Sequence, residues 1–388
     1  MKVLHIIPSI NPRYGGPSKA VIEISEMSAE NGIDVTAAFG AREHETGYIE
    51  RLRSSLPTIR FLSFPYSFPK RISKSKEMES WLERDIKQFD VVHIHAIYSY
   101  SSVHAARVAA KNNIPYVLRP AGSLDKFDLQ KKRFLKYVFA SMTVRKLLDG
   151  AAYVQCTSDG EAEHLELFGS NANLQVLPIP VKKDPRIGSG DRFRAKYGIQ
   201  PDDFALLFLS RIDYKKGLSL LIESLRRLAP KFPKLRLLIA GSDSNGYERV
   251  IRQLVEVSGV QERITFCGFL NDGDKLDAFA GSNCFVLPSM FENFGVAVVE
   301  ALNAGRPVII SDRVYIWQEV VDGGAGWVCN YSIDSLTEVI SQVVSNPREV
   351  SVREGNARIV GSKFSPGALA HSYCNLYSSC IGRYKSIS

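Results

Sequence analysis

Pro288-Ser289-Met290-Phe291-Glu292-Asn293-Phe294-Gly295-Val296-Ala297-Val298-Val299-Glu300-Ala301-Leu302-Asn303-Ala304-Gly305-Arg306-Pro307 is the stretch on which the reading of this chain turns. The apolar run just before it, Cys284 to Leu287, predicts a buried strand ending at Pro288. A short loop then leads into a helix over Val296 to Asn303, closed by Gly305 and Pro307. Glu292 falls in the loop and Glu300 inside the helix. At ~1.5 Å rise per residue, Gly295 and Glu300 are about 7–8 Å apart along the axis, roughly the span from a nucleotide's phosphates to its ribose hydroxyls. The amides of Phe294, Gly295 and Val296 would face an anion, helped by the positive end of the helix dipole. A carboxylate further up can accept from a ribose diol, and one in the loop from a sugar hydroxyl. The plainer reading is a chance spacing, with one glutamate favouring the helix dipole.

A second stretch, basic and ending in glycine, is Leu209-Ser210-Arg211-Ile212-Asp213-Tyr214-Lys215-Lys216-Gly217. It follows the apolar run Phe204 to Leu209, and ligands of open parallel sheets gather at that end of a strand. Arg211 and Lys216 would offer two positive charges to a diphosphate, Arg as a bidentate donor and Lys as a point charge. Fixed cations there favour departure of a nucleoside diphosphate. The alternative is a basic loop on a basic protein.

Short apolar runs alternate with helical patterns along the whole chain, which predicts an α/β protein with parallel sheets. Pro178 to Asp203 is rich in Pro, Gly and charge, as a linker would be. We therefore expect a first domain over 1–180, a linker over 181–203, a second domain over 204–364 and a C-terminal helix over 365–388. In the first half, Gly15-Gly16 follows the first strand and precedes a helix, so its amides could meet phosphate or acceptor, or form a plain turn. His93 and His95 point to the same side of a strand. His95 is the better site candidate because it ends that strand, and no third ligand for a metal lies nearby in sequence. Asp272-Gly273-Asp274 reads as a turn into a helix with Asp274 as its cap.

The string from Pro288 to Ala301 resembles the signature Pro-Ser-x-x-Glu-x-Phe-Gly-(x)4-Glu-Ala of retaining, GT-B-fold glycosyltransferases, in particular glycosyltransferase family 4 (glycosyl transferases group 1). Every fixed position of it is present. Ser210-Arg211 to Lys216-Gly217 resembles the family's Gly-Arg-(x)4-Lys-Gly, with Ser210 for the usual Gly. The resemblance is strong from about Phe204 to Asp312 and thinner before. It implies two Rossmann-like domains facing each other across a cleft, the first binding the acceptor, the second the nucleotide sugar. The C-terminal helix would pack back on the first domain.

The implied activity is hexosyl-type transfer, with retention, from a nucleoside diphosphate sugar to a hydroxyl of a glycan or lipid-linked acceptor, in polysaccharide or glycolipid biosynthesis. His95, Arg211, Lys216 and Glu292 are the expected catalytic residues. Gly15, Gly16, Arg211, Lys216, Phe294, Gly295, Val296 and Glu300 are expected on the donor. Arg119 stands where many family members have a second cleft histidine, on the acceptor side. Base recognition would be by backbone near Gly268 to Leu270. Two other readings share these features: a nucleotide-sugar epimerase of the same fold, and a non-catalytic nucleotide-sugar-binding scaffold of a polysaccharide assembly complex.

Composition bounds the rest. The 388 residues are 45% hydrophobic and 23% charged, ordinary for a soluble globular protein of two domains. The six cysteines, 156, 267, 284, 329, 374 and 380, have no metal spacing and read as free thiols of a reducing cytoplasm. No signal peptide or membrane span is expected. A net charge of +8 invites a polyanion, yet no nucleic-acid-binding motif accompanies it. The basic stretch Asp125 to Leu148, with Lys126, Lys131, Lys132, Arg133 and Lys136 among aromatics, is expected to be a helix. It could rest on anionic lipid at the inner membrane face as a peripheral contact, or be a solvated basic face. No cofactor and no metal are expected.

Overall fold

A computed structural model describes residues 1–12, 15–66, 74–123, 143–167, 171–243 and 245–385. Most of the basic stretch read as a membrane-facing helix, including Lys126, Lys131, Lys132, Arg133 and Lys136, lies outside them. The chain forms two compact units, Met1–Pro180 with Pro366–Ser388, and Val181–Ser365.

The first unit holds seven parallel strands: β1 (Lys2–Ile7), β2 (Asp34–Ala41), β3 (Ile59–Pro65), β4 (Val91–His95), β5 (Tyr116–Arg119), β6 (Tyr153–Cys156) and β7 (Leu174–Val176). Their order is β3-β2-β1-β4-β5-β6-β7. Both faces of the sheet are covered, which is why the central strands read as continuous apolar runs. One face packs Leu4, Ile6, Val92, Ile94 and Leu118 with Trp81 and Leu82. The other packs Val3, Ile7, Val91 and Val117 with Val21, Ile24, Tyr373 and Tyr377. Those last four come from the Gly16–Glu30 and Pro366–Lys385 helices.

The second unit is built the same way from β8 (Phe204–Leu209), β9 (Leu235–Ala240), β10 (Ile264–Gly268), β11 (Cys284–Leu287), β12 (Val308–Ser311) and β13 (Gly326–Cys329). The order β10-β9-β8-β11-β12-β13 reverses direction between β8 and β11. The loops that leave those two strands therefore lie side by side, at the switch point where such sheets bind ligands. Met290 N–H donates to Lys215 O across them at 2.7 Å. The approach is so close that a Cβ on Gly217, itself at φ +73°, would meet Pro288 O at 1.9 Å.

The structure differs from the sequence reading in several places. The stretch expected to be a linker, 181–203, carries the Gly190–Lys196 helix with Phe193 buried, and Arg192 Nε donates to Asp277 at 2.8 Å. Its Pro, Gly and charges mark a short, tightly packed helix rather than a free tether. The cap of the Asp272–Gly281 helix is Asn271, whose side chain accepts from Asp274 N–H at 3.0 Å. Asp274 sits one turn inside, favouring the dipole. The Thr46–Ser55, Trp317–Asp322 and Pro347–Ser362 helices and β13 were not expected. Among the described residues no helix is long and apolar enough to cross a membrane.

Candidate functional site

In the second unit the two signature loops meet through side chains. Lys216 Nζ and Glu292 Oε2 are in direct contact. Lys216 ends a single 3-10 turn, Tyr214–Lys216, whose Asp213 cap accepts from Lys215 N–H at 3.0 Å. Glu292 is fixed by its backbone: its N–H donates to Arg313 O at 3.0 Å and its O accepts from Tyr315 N–H at 3.1 Å. The cation and carboxylate expected to serve different parts of a donor thus hold each other. Arg211 is exposed on the loop after β8, where Ile212 N–H donates to Ser242 O at 2.9 Å.

Gly295, at φ +77°, precedes the Val296–Asn303 helix as its cap. The first amides to bond within the helix are those of Val298 and Val299, both to Gly295 O, at 2.8 and 3.2 Å. The amides before them have no acceptor in the helix, as at any helix start, and can turn to an anion. The Phe294 ring is core, edge-on to Phe364 at 5.4 Å, so only its backbone can serve a ligand. Glu300 lies one and a half turns on, partly buried, with Lys275 Nζ 3.1 Å from its Oε1.

In the first unit Gly15, at φ +78°, caps the Gly16–Glu30 helix, and its O accepts from Ser18 N–H at 3.2 Å. Beneath that helix lies a buried polar layer. Arg119 Nε donates to His95 Nδ1 at 2.9 Å, and His95 Nε2 lies 2.9 Å from His5 Nδ1. An arginine N–H can only donate, so His95 carries its proton on Nε2 and passes it toward His5. The three histidines come together because β1 and β4 are neighbours, with His5 opposite His93. His93 Nδ1 is 2.9 Å from the Tyr377 hydroxyl. Arg119 Nη2 also reaches Pro17 O at 3.4 Å.

This corrects two expectations. His95 was expected to present its ring to a ligand, but it is fully buried with both nitrogens engaged. A third histidine does lie near His93 and His95, and the ligand atoms of all three fall within 4.8 Å of one another. The set nevertheless suits a cation poorly. Binding through His95 Nε2 would move its proton to Nδ1, against the Arg119 N–H, and the guanidinium charge would repel the ion. Burial, then the charge of Arg119, pushes the His5 pKa down to about 3. Burial first, then neighbouring charge, also lowers His93 and His95 well below the ordinary histidine value.

Three side chains of this arrangement escaped the sequence reading, Lys275, His5 and Tyr377. The signal for His5 was a lone polar residue in the run Val3-Leu4-His5-Ile6-Ile7, in phase with a buried strand face. All six cysteines are free.

Residues 189–359 match the family described as "Glycosyl transferases group 1", and residues 15–180 the family "Glycosyl transferase 4-like domain". An uncharacterized glycosyltransferase of Methanocaldococcus jannaschii is 30% identical over 334 residues, covering 82% of this chain and 83% of that one. The GDP-mannose:cellobiosyl-diphosphopolyprenol alpha-mannosyltransferase of Xanthomonas campestris is 23% identical, covering 85% and 83%. Among the solved structures that share the fold are the following two. Sucrose-phosphate synthase from Thermosynechococcus elongatus has a TM-score of 0.81 at 19% identity, covering 98% of this chain and 99% of that one. Anabaena HepE in complex with UDP-glucose has a TM-score of 0.80 at 18% identity, covering 98% and 100%.

Proposed function

Given that the chain belongs to the group 1 glycosyl transferases and has their GT-B fold, we propose that it moves a sugar from a nucleoside diphosphate sugar to an acceptor hydroxyl. The acceptor is a glycan or a lipid-linked molecule, and the anomeric configuration is retained. The observation that carries this reading is the contact of Lys216 with Glu292 at the sheet's switch point, beside the Val296–Asn303 helix start.

In this reading Arg211, Lys216 and the amides of Phe294, Gly295 and Val296 hold the diphosphate, and Glu300 accepts from the ribose. Glu292 holds the sugar where positive charge grows at the anomeric carbon. The carbon–oxygen bond to the diphosphate breaks as the acceptor oxygen bonds on the same face, and the leaving diphosphate takes the acceptor's proton. Two fixed cations stabilise the charge that departs, so no metal is required. Gly15 and Gly16 add amides on the donor side. Arg119 is buried with His95, so it serves the acceptor side by holding Pro17 O at the start of the Gly16–Glu30 helix, with His95 as its support rather than a proton acceptor. The protein works in the cytoplasm, and its basic stretch meets anionic lipid at the membrane face.

A panel of nucleoside diphosphate sugars, each offered with glycan and lipid-linked acceptors, tests the reading. Release of nucleoside diphosphate should match formation of an α-linked product from an α-linked donor, and the rate should survive excess EDTA. Inverted product, turnover restored only by Mn²⁺ or Mg²⁺, or conversion of the donor to another nucleotide sugar without transfer would overturn it.

A further inference from the structure

Lys275 belongs to none of the signature motifs, yet the fold carries it to Glu300. It sits in the Asp272–Gly281 helix, 25 residues before its partner. Its ammonium lies 3.1 Å from Glu300 Oε1 and 2.8 Å from Asp272 Oδ1. The shorter of these pairs is the weaker. Asp272 is 78% exposed, and water screens such a pair. Glu300 is 13% exposed and Lys275 18%, so their attraction acts through a poorer dielectric. Burial works against the charge on Lys275, yet Glu300 and then Asp272 hold its pKa above the ordinary lysine value. The ammonium is therefore charged throughout the neutral range.

We infer that Lys275 is the residue that positions Glu300 for the ribose, and so sets the preference for a 2′-hydroxyl in the donor. The inference rests on the reading of Glu300 as the ribose acceptor. A carboxylate offers about four lone-pair sites, and the lysine occupies one of them on Oε1. A ribose diol can therefore bind the carboxylate without displacing the lysine. A glutamate on a helix has three rotatable side-chain bonds, and an ion pair reached from a second helix removes much of that freedom before the ligand arrives. Asp272, on the same helix one turn earlier, keeps the ammonium from swinging into solvent.

Binding of uridine, guanosine and adenosine diphosphates and their 2′-deoxy counterparts is measured by calorimetry on wild type, Lys275→Met, Lys275→Arg and Glu300→Gln. Wild type should prefer the ribonucleotide by about tenfold or more, the worth of a hydrogen bond to a charged group. Lys275→Met should lose most of that preference while binding the 2′-deoxy form as wild type does, which also reports an intact fold. Lys275→Arg should keep part of it. A preference lost in Glu300→Gln but kept in Lys275→Met overturns the inference alone. A tighter ribonucleotide complex in Lys275→Met also overturns it, since the lysine would then compete with the ribose. A wild type indifferent to the 2′-hydroxyl, matched by Glu300→Gln, overturns the reading of Glu300 and the inference with it.

Discussion

Glu292 and Lys216 neutralise each other across two loops, and that contact sets what a substitution there does. Glu292→Gln removes the carboxylate from the growing charge at the anomeric carbon. Turnover should fall by the equivalent of about 1.5–3 kcal/mol, roughly 10- to 150-fold. Free nucleoside diphosphate has no sugar to hold, and the substitution releases Lys216 from its partner. Its affinity should hold or rise, which calorimetry checks beside the rate. Equal losses of affinity and rate would mean Glu292 belongs to the phosphate site. Both residues were legible in the sequence because each stands in a dense local motif. Their pairing was not, since 76 residues separate them and only the switch point brings the loops together. Lys275 was invisible for the same reason: nothing local marks a lysine whose partner lies on another helix.

At the scale of elements, β1, β4 and β5 and the Pro366–Lys385 helix close on a layer of histidines that the fold keeps neutral. The pKa of His5 is about 3 in the folded protein and about 6.5 in an unfolded chain. Below pH 6.5 the unfolded chain therefore binds a proton that the folded one refuses. The histidine contribution should be flat between about pH 7 and pH 8 and fall as the pH drops from about 6.5 toward 3, by up to ~1.4 kcal/mol per pH unit for each such histidine. Melting temperatures between pH 8 and pH 5 read this, and His5→Asn should flatten the slope. An unchanged slope in that variant would assign the effect elsewhere. The strands themselves were readable because fully buried parallel strands are unbroken apolar runs, as in Phe285-Val286-Leu287. β13 was not, because Gly326-Trp327-Val328-Cys329 begins with a glycine and follows Gly323-Gly324-Ala325, so no unbroken apolar run marks it. The Gly190–Lys196 helix was hidden by the prolines and glycines around it.

On the scale of the molecule, the first unit is discontinuous: the chain leaves it after Pro180 and re-enters at Pro366. The returning helix places Leu369, Tyr373, Leu376, Tyr377 and Cys380 in its core. Tyr373 also accepts from Gln155 Nε2 at 2.7 Å and donates to Pro178 O at 3.0 Å. Large buried side chains are worth about 2–5 kcal/mol each, against a usual margin of about 5–15 kcal/mol for a whole domain. A chain ended at Ser365 should lose the first unit and keep the second. Limited proteolysis should leave a resistant core beginning near Val181, and a digest that protects the first unit equally would contradict this. The same discontinuity imposes an order on synthesis. A ribosome adds ~5–20 residues per second, so on the order of ten to forty seconds separate the emergence of β7 from that of the helix that seals its sheet. For that interval the sheet is a nascent surface open to chaperones, because the Val181–Ser365 unit must itself be synthesised before the sealing helix emerges.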